Sequence, residues 1–200
     1  MFTQRFQEWV RAGARRLVTA IHLRGITPNV LTLTGLAVTV AAAVLIGLGW
    51  LIPGGLVLLF AGLFDILDGA VARVTNRVGR YGAFLDSTTD RYAEVVTYAA
   101  LLYHFISRSG GELPAMLVIV ALGGSLLVSY VRARAQSLGF TCDGGLLARP
   151  ERVVIIVAGL VVPPLLIPAL WVLAVLTNLT ALQRIRLVWR EARQAVPSDS

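Results

Sequence analysis

Four aspartates stand close together in an otherwise apolar part of the chain, between Phe64 and Tyr92. They are Asp65, Asp68, Asp86 and Asp90. An ionisable side chain at the centre of a membrane-spanning helix costs roughly 2.5–3.5 kcal/mol, so such residues usually mark a functional site. This acidic group is therefore the first candidate for chemistry.

The spacing of the aspartates places them on helix faces. The first two share one face with Gly69 and Ala72, because positions i, i+3, i+4 and i+7 lie on the same side of a helix. The second two follow Gly82 at four-residue intervals, again on one face. Residues 73–80, between the two segments, are polar and basic and long enough to reverse the chain. We therefore predict that two adjacent helices bring all four carboxylates together.

The donor set of this group indicates a hard divalent cation. Carboxylate oxygens with no nearby His or Cys suit Mg²⁺ or Mn²⁺ better than Zn²⁺. We expect two such ions per active site, because four like charges held together need positive charge between them. Mg²⁺ prefers one or two carboxylates plus phosphate oxygens, which indicates a phosphorylated substrate. The bordering Arg73, Arg77 and Arg80 are suited to bind its phosphates.

The whole region has the pattern D-x-x-D-G-x-x-A-R-x(8)-G-x-x-x-D-x-x-x-D, which begins at Asp65 and ends at Asp90. This pattern resembles the signature of the CDP-alcohol phosphotransferase (phosphatidyltransferase) family, and every position matches. The resemblance implies a reaction in which an alcohol displaces CMP from a CDP-linked donor, usually CDP-diacylglycerol. A small alcohol and a membrane lipid are then the expected partners.

The resemblance also implies roles for individual residues. Asp65, Asp68 and Asp86 are expected to be metal ligands. Asp90 is expected to act as general base on the acceptor hydroxyl and to contact a metal as well. Seven further residues are expected to hold the CDP-lipid: Asn29, Thr32, Gly69, Ala72, Arg73, Gly79 and Gly82.

A second basic group is a candidate for binding the acceptor phosphate. Arg149 and Arg152 lie one turn apart, and Arg132 and Arg134 end an earlier segment, so four guanidinium groups could surround a small anion. Anchoring at a lipid surface is the alternative interpretation. Residues 129–155 resemble the same part of bacterial phosphatidylinositol phosphate synthases, which implies inositol 1-phosphate as acceptor. Those enzymes have a lysine at the position of Arg132, and glycerol 3-phosphate is the alternative acceptor.

The composition indicates an integral membrane protein, since 56% of the residues are hydrophobic, 14% are charged, and the mean hydropathy is +0.75. The formal charge of +7 comes from eighteen basic residues, all arginine, against eleven acidic ones. In a membrane protein this balance reflects cytosolic loops that face anionic lipid, so nucleic acid is not an expected partner. The single cysteine, Cys142, excludes an internal disulfide.

The expected fold is all-α, an integral membrane bundle of six transmembrane helices preceded by an amphipathic interfacial helix. Residues 1–25 form that juxtamembrane helix, residues 26–190 the catalytic domain, and residues 191–200 a disordered cytosolic tail. Pro163 and Pro164 separate the last two spans. The six predicted spans are about 30–50, 51–72, 83–106, 114–133, 151–167 and 168–188.

The arginines also predict the orientation of the bundle. They concentrate in the amino-terminal segment, the loops 73–80 and 132–152, and the carboxyl tail, so both termini and the active site should face the cytosol of a bacterial cell. The family resemblance and the small residues of spans three and four lead us to expect a homodimer. A divalent-cation channel or transporter is the alternative of another class, but it would need its acidic residues at the bilayer midplane.

Overall fold

The computed structural model describes residues 27–75, 79–109, 111–142 and 144–195. These residues form helices joined by short connections, with no strand among them, which confirms the all-α prediction. The helices are α1 (Pro28–Gly47), α2 (Leu51–Val74), α3 (Arg80–His104), α4 (Glu112–Ser137), α5 (Arg149–Val161) and α6 (Leu166–Ala195). A π-helical turn, Phe105–Ser109, extends α3, and a 3₁₀ turn, Pro163–Leu165, joins α5 to α6.

The first helix begins as its sequence predicts. Thr27 is the N-cap residue with extended backbone angles, and Pro28 occupies the first helical turn, where its missing N–H needs no partner. The Thr27 hydroxyl makes no capping bond; instead the Thr27 carbonyl accepts from the Val30 N–H at 3.1 Å. This turn positions Asn29 and Thr32 at the start of α1.

Within the part of the chain that the structure describes, four helical segments are long and apolar enough to cross a membrane: α1, α2, α4 and Pro163–Gln194, which contains most of α6. The other two helices differ from the spans expected at their positions. α3 has 25 residues, but the part up to Glu94 also carries the charged residues Asp86, Asp90 and Arg91. α5 has only 13 residues, so it extends about 20 Å, less than the roughly 30 Å of a bilayer core. The chain is therefore a membrane protein with four candidate spans.

The carboxyl end of the chain corrects one expectation. Residues 191–195, expected to be part of a disordered tail, continue α6 as regular helix to Ala195. The physical reason is a tertiary contact: the Glu191 carboxylate accepts hydrogen bonds from the Thr141 N–H at 3.0 Å and its hydroxyl at 2.8 Å. The expected amphipathic helix of residues 1–25 and the tail residues 196–200 lie outside the described residues.

The apolar core lies where the helices pack together, away from the charged residues. Its fully buried side chains come from five helices and include Ile46, Leu101, Val118, Leu160 and Leu170. Large apolar side chains also cover the outside of the bundle, as expected of helices whose outer surface contacts lipid rather than water. The polar side chains lie instead at one end of the bundle.

Successive helices run in opposite directions and place the polar residues at the same end of the bundle. Thr32 at the start of α1 donates to Asp68 near the end of α2, and Arg149 at the start of α5 donates to Asp65. At the opposite end, Arg108 after α3 lies against Gly49 between α1 and α2. The start of α1, the end of α2 and the start of α5 therefore meet at one site.

The contact between α4 and α6 depends on Gly124 and gives a testable prediction. A Cβ atom at Gly124 would overlap with Thr177 Oγ1 and lie 2.6 Å from Asn178 Nδ2, whereas one at Gly123 would meet no described atom within 4 Å. Forcing an extra methyl into a packed contact costs about 1–3 kcal/mol. We expect Gly124→Ala to lower the Tm of the purified protein by several degrees, measured by thermal unfolding in detergent.

The matched control is Gly123→Ala, which adds the same methyl group to the adjacent position in open space. Since alanine is a better helix former than glycine by about 1 kcal/mol, this variant should unfold at the parent temperature or slightly above it. Equal Tm values for the two variants would contradict the close packing of α4 on α6.

Candidate functional site

Three of the four predicted aspartates form a compact group. Asp65 and Asp68 lie on one face of α2, and Asp86 lies on the facing turn of α3. One carboxylate oxygen from each lies within 4.8 Å of the others, and Asp68 is buried while the other two are half-buried. Three hard oxygen donors at this spacing suit a divalent cation such as Mg²⁺ or Mn²⁺. The residues present therefore fit the divalent metal that the sequence predicts.

The fourth aspartate, Asp90, lies beside this group and is paired with arginine. Its Oδ1 forms an ion pair with Arg149 Nη2 at 2.8 Å, and its Oδ2 lies 3.5 Å from Arg91 Nη2. Through its other terminal nitrogen, Arg149 also contacts Asp65. Arg149 thus joins the metal-ligand candidates to Asp90, and the role of Asp90 as a further ligand stays a prediction.

The residues predicted to hold the CDP-lipid surround the acidic group. Thr32 donates to the Asp68 carboxylate, and the side-chain oxygen of Asn29 lies 3.6 Å from the Cβ position of Gly82. The guanidinium group of Arg73 folds back against Gly69, with Nη2 3.5 Å from its Cβ position. α1, α2 and α3 therefore converge at these positions.

Two other residues predicted to hold the CDP-lipid, and one of the arginines that border the acidic group, lie nearby. Ala72 is half-buried near the end of α2, and Gly79 is exposed immediately before α3. No described atom lies within 4 Å of the Cβ position of Gly79, so the backbone there is open to a ligand. Arg80 is exposed at the start of α3, whereas Arg77 lies outside the described residues.

A cavity opens beneath the aspartates and extends into the bundle. Its polar upper wall contains Asp65, Asp68, Asp90 and Arg149, and its deeper wall contains apolar side chains such as Ile156. All of the first five helices contribute to the lining. A polar substrate group held at the top of this cavity would be largely removed from bulk water.

The four arginines predicted to bind the acceptor phosphate divide into two pairs. Arg149 and Arg152 at the start of α5 line the cavity. Arg132 and Arg134, in the last turns of α4, are exposed and are not among the residues that line it. A ring of four guanidinium groups around one anion therefore stays a prediction for Arg132 and Arg134.

A buried acidic residue, Glu94, belongs to the cavity and was missed by the sequence analysis. Its carboxylate accepts from Arg152 Nη2 at 2.8 Å and from the Ser125 hydroxyl at 2.9 Å. A signal was present in the sequence, because the four-residue interval from Gly82 through Asp86 and Asp90 continues to Glu94. Its partners come from α4 and α5, and their positions depend on the tertiary structure.

Arg184 is a second buried residue that sequence reasoning missed. On α6, its Nε donates to the Gly144 carbonyl at 2.9 Å and its Nη1 donates to the Val128 carbonyl at 2.6 Å. Gly145 follows with φ of 140° and is packed against Thr180, a conformation and a contact that favour glycine. These contacts fasten the segment between α4 and α5 to α6 and so support the start of α5.

With a divalent metal held by the aspartates, the site could bind a diphosphate, and it holds the Asp90 carboxylate beside an arginine that could bind a second anion. The aspartates of α2 and α3 are suited to hold a metal against phosphate oxygens. Asp90 is suited to accept a proton, and Arg149 to hold an anionic group next to it. This arrangement is typical of group transfer from a phosphate ester to an alcohol.

Comparison with known proteins agrees with this chemistry. The family model of CDP-alcohol phosphatidyltransferase matches residues 25–183. The phosphatidylinositol phosphate synthase of Mycobacterium tuberculosis (strain ATCC 25618 / H37Rv) is 36% identical over 94% of each chain. The archaetidylinositol phosphate synthase of Methanothermobacter thermautotrophicus is 39% identical over 92% of this chain and 94% of its own.

Two solved structures have the same fold. The crystal structure of Mycobacterium tuberculosis phosphatidylinositol phosphate synthase (PgsA1) with CDP-DAG bound has a TM-score of 0.80, with 35% identity over 90% of this chain and 93% of that one. The structure of the same protein in complex with manganese and citrate has a TM-score of 0.79, with 36% identity over 90% and 88% of the two chains. The family match covers most of the sequence, including every aspartate of the site, and this chain belongs to the CDP-alcohol phosphatidyltransferase family.

Proposed function

We propose that this protein transfers a phosphatidyl group from CDP-diacylglycerol to inositol 1-phosphate and releases CMP and phosphatidylinositol phosphate. The observation that carries the proposal is the position of Arg149, whose guanidinium group contacts both Asp65 of the acidic group and Asp90. An anion-binding side chain therefore lies beside the candidate base. The relatives named phosphatidylinositol phosphate synthase support the same acceptor.

The acidic group serves the donor. Asp65, Asp68 and Asp86 hold two Mg²⁺ or Mn²⁺ ions, with Asp90 as a further ligand, and these ions neutralise the diphosphate and the departing CMP. The manganese in a structure of the Mycobacterium tuberculosis relative supports a divalent metal here. The CDP part of the donor lies against Asn29, Thr32, Gly69, Ala72, Arg73, Gly79 and Gly82.

Asp90 and the arginines serve the acceptor. Arg149 holds the acceptor phosphate, assisted by Arg152, Arg132 and Arg134, so that one inositol hydroxyl faces the donor. Asp90 takes the proton of that hydroxyl as its oxygen bonds to the phosphorus that carries diacylglycerol. The bond between this phosphorus and the bridging oxygen breaks at the same time, and the electron pair leaves with CMP.

We also propose a location for the reaction. Residues 26–190 form a catalytic domain that crosses the bacterial cell membrane six times, with the short α5 completed by the turn Pro163–Leu165. The arginines at the polar end support a cytosolic active site and cytosolic termini. The exposed apolar faces of α3 and α4 are suited to a homodimer.

The experiment that tests the proposal is CMP release from CDP-diacylglycerol by purified protein with Mg²⁺. Inositol 1-phosphate, inositol and glycerol 3-phosphate are supplied in separate reactions. We expect release to depend on inositol 1-phosphate and on metal, because the Arg149 side chain needs an anionic acceptor. Release with glycerol 3-phosphate alone would keep the chemistry and overturn the acceptor, and release with inositol alone would overturn the role of Arg149.

A further inference from the structure

A buried pair of opposite charges lies one helical turn deeper than Asp90 and Arg149. Glu94 follows Asp90 by four residues on α3, and Arg152 follows Arg149 by three residues on α5. Glu94 is 8% exposed and Arg152 is 3% exposed. Burying a charged side chain is costly unless it is paired and hydrogen-bonded. The burial of this pair therefore suggests that the two residues have a specific role.

The hydrogen bonds of the pair join three helices. Arg152 Nη2 donates to Glu94 Oε1 at 2.8 Å, and Arg152 Nη1 donates to the Ser125 carbonyl at 3.2 Å. The Ser125 hydroxyl donates to Glu94 Oε2 at 2.9 Å, and Arg91 Nη2 lies 3.5 Å from Glu94 Oε1. Both oxygens of the Glu94 carboxylate are therefore engaged, and they tie α3 to α4 and α5.

Together with the pair above it, this contact fixes the start of α5. Asp90 and Arg149 are joined at 2.8 Å, and Glu94 and Arg152 are joined at 2.8 Å one turn deeper. α5 packs against α2 and α6, and arginine side chains make its link to α3. Asp90 and Glu94 therefore link the first turn of this 13-residue helix to α3.

We propose that Glu94 is a positioning residue, which holds Arg152 and thereby fixes the Arg149 guanidinium at the correct distance from Asp90. This proposal rests on the proposed function, in which Arg149 binds the acceptor phosphate. Glu94 bonds to α4 and α5, whereas the residues assigned to the CDP-lipid lie at the starts of α1 and α3 and the end of α2. Loss of Glu94 should therefore affect the acceptor far more than the donor.

The test is Glu94→Gln, which keeps the size of the side chain and removes its charge. With CDP-diacylglycerol saturating, we expect the KM for inositol 1-phosphate to rise roughly tenfold, as expected for loss of one charge-assisted hydrogen bond. The KM for CDP-diacylglycerol should stay within about twofold of the parent value. A uniform rise of both KM values would indicate general loosening of the bundle and would overturn the proposal.

A double-mutant cycle tests whether Glu94 acts through Arg152. Arg152→Gln and Glu94→Gln remove the same ion pair, so the double variant should raise the acceptor KM no further than the worse single variant. Effects that multiply would show that the two residues act independently, and would overturn the proposal. Thermal unfolding and gel filtration in detergent establish that each variant is folded.

Two further variants keep the test decisive. Glu112→Gln, exposed at the start of α4, removes the same charge far from the site and should leave every kinetic constant unchanged. If Glu94→Gln does not fold, Ser125→Ala deletes only the hydroxyl that donates to Glu94 and should raise the acceptor KM about twofold, which an unchanged KM would contradict.

The parent protein separates the two proposals. If it shows no CMP release with inositol 1-phosphate, the proposed function is wrong, whatever Glu94 does. If it shows release, and Glu94→Gln leaves the acceptor KM unchanged, the positioning role is wrong and the proposed function stands.

Discussion

The Asp90→Asn protein is expected to lose roughly 10²–10⁴-fold in kcat, the contribution typical of a general base. The physical reason is that an amide is isosteric with the carboxylate but cannot accept the proton of the acceptor hydroxyl. The initial rate of CMP release with inositol 1-phosphate measures this loss. Binding of CDP-diacylglycerol should persist, because Asp65, Asp68 and Asp86 remain in place.

The longer carboxylate of Asp90→Glu provides the matched comparison. It keeps a base at this position but moves it by one methylene group, so we expect intermediate activity. Asp90→Asn also removes the negative charge that lies 2.8 Å from Arg149. Because this could alter acceptor binding by Arg149, the acceptor KM is measured for each variant as well. If Asp90→Asn keeps more than about a tenth of the parent kcat, the loss is smaller than a general base supplies and that role is excluded.

The acidic group could be predicted from the sequence because its geometry is local. The spacing of Asp65 and Asp68 fixes them on one face of α2, and the spacing of Asp86 and Asp90 does the same on α3. The one step that this local spacing does not give is the reversal of the chain between α2 and α3, which brings the two faces together. Most of the helices begin and end within a few residues of the predicted spans. The exceptions are α5, which ends at Val161 although its predicted span reaches residue 167, and α6, which continues to Ala195.

The connections between distant segments could not be predicted in this way. Arg149 contacts Asp65 across 84 positions, and Arg152 contacts Glu94 across 58. These contacts depend on where α5 packs against the bundle, which no local periodicity determines. The same holds for Glu191, whose bonds to Thr141 make the last turns of α6 part of the folded structure.

In the proposed function, the acceptor side of the site is built differently from the donor side. The proposed donor side uses short aspartate side chains on two long helices, where helix geometry alone gives the required spacing. The proposed acceptor side uses long arginine side chains from the short helix α5, which have many rotamers to lose. Asp65 on α2 and Asp90 on α3 form ion pairs with Arg149 on α5. These two contacts link the two sides of the site.

Removal of one carboxylate from the acidic group should be visible in metal binding without any turnover. We expect Asp86→Asn to weaken Mn²⁺ binding by at least the roughly 10–100-fold that loss of a residue supporting a metal ligand costs. Asp86 is the member of the group supplied by α3, so its loss leaves only the two oxygen donors of α2. Titration of the purified protein with Mn²⁺, followed by the electron paramagnetic resonance signal of the free ion, measures the affinity directly.

The control for this titration is Ser87→Ala, an exposed neighbour of Asp86 whose hydroxyl donates to the Phe84 carbonyl within α3. It should bind Mn²⁺ with the parent affinity. Parent-like binding by Asp86→Asn as well would show that Asp86 is not a metal ligand. The same titration of Asp90→Asn decides whether Asp90 is a metal ligand as well as a base. If Asp90 is a ligand, this variant should weaken Mn²⁺ binding about as much as Asp86→Asn does.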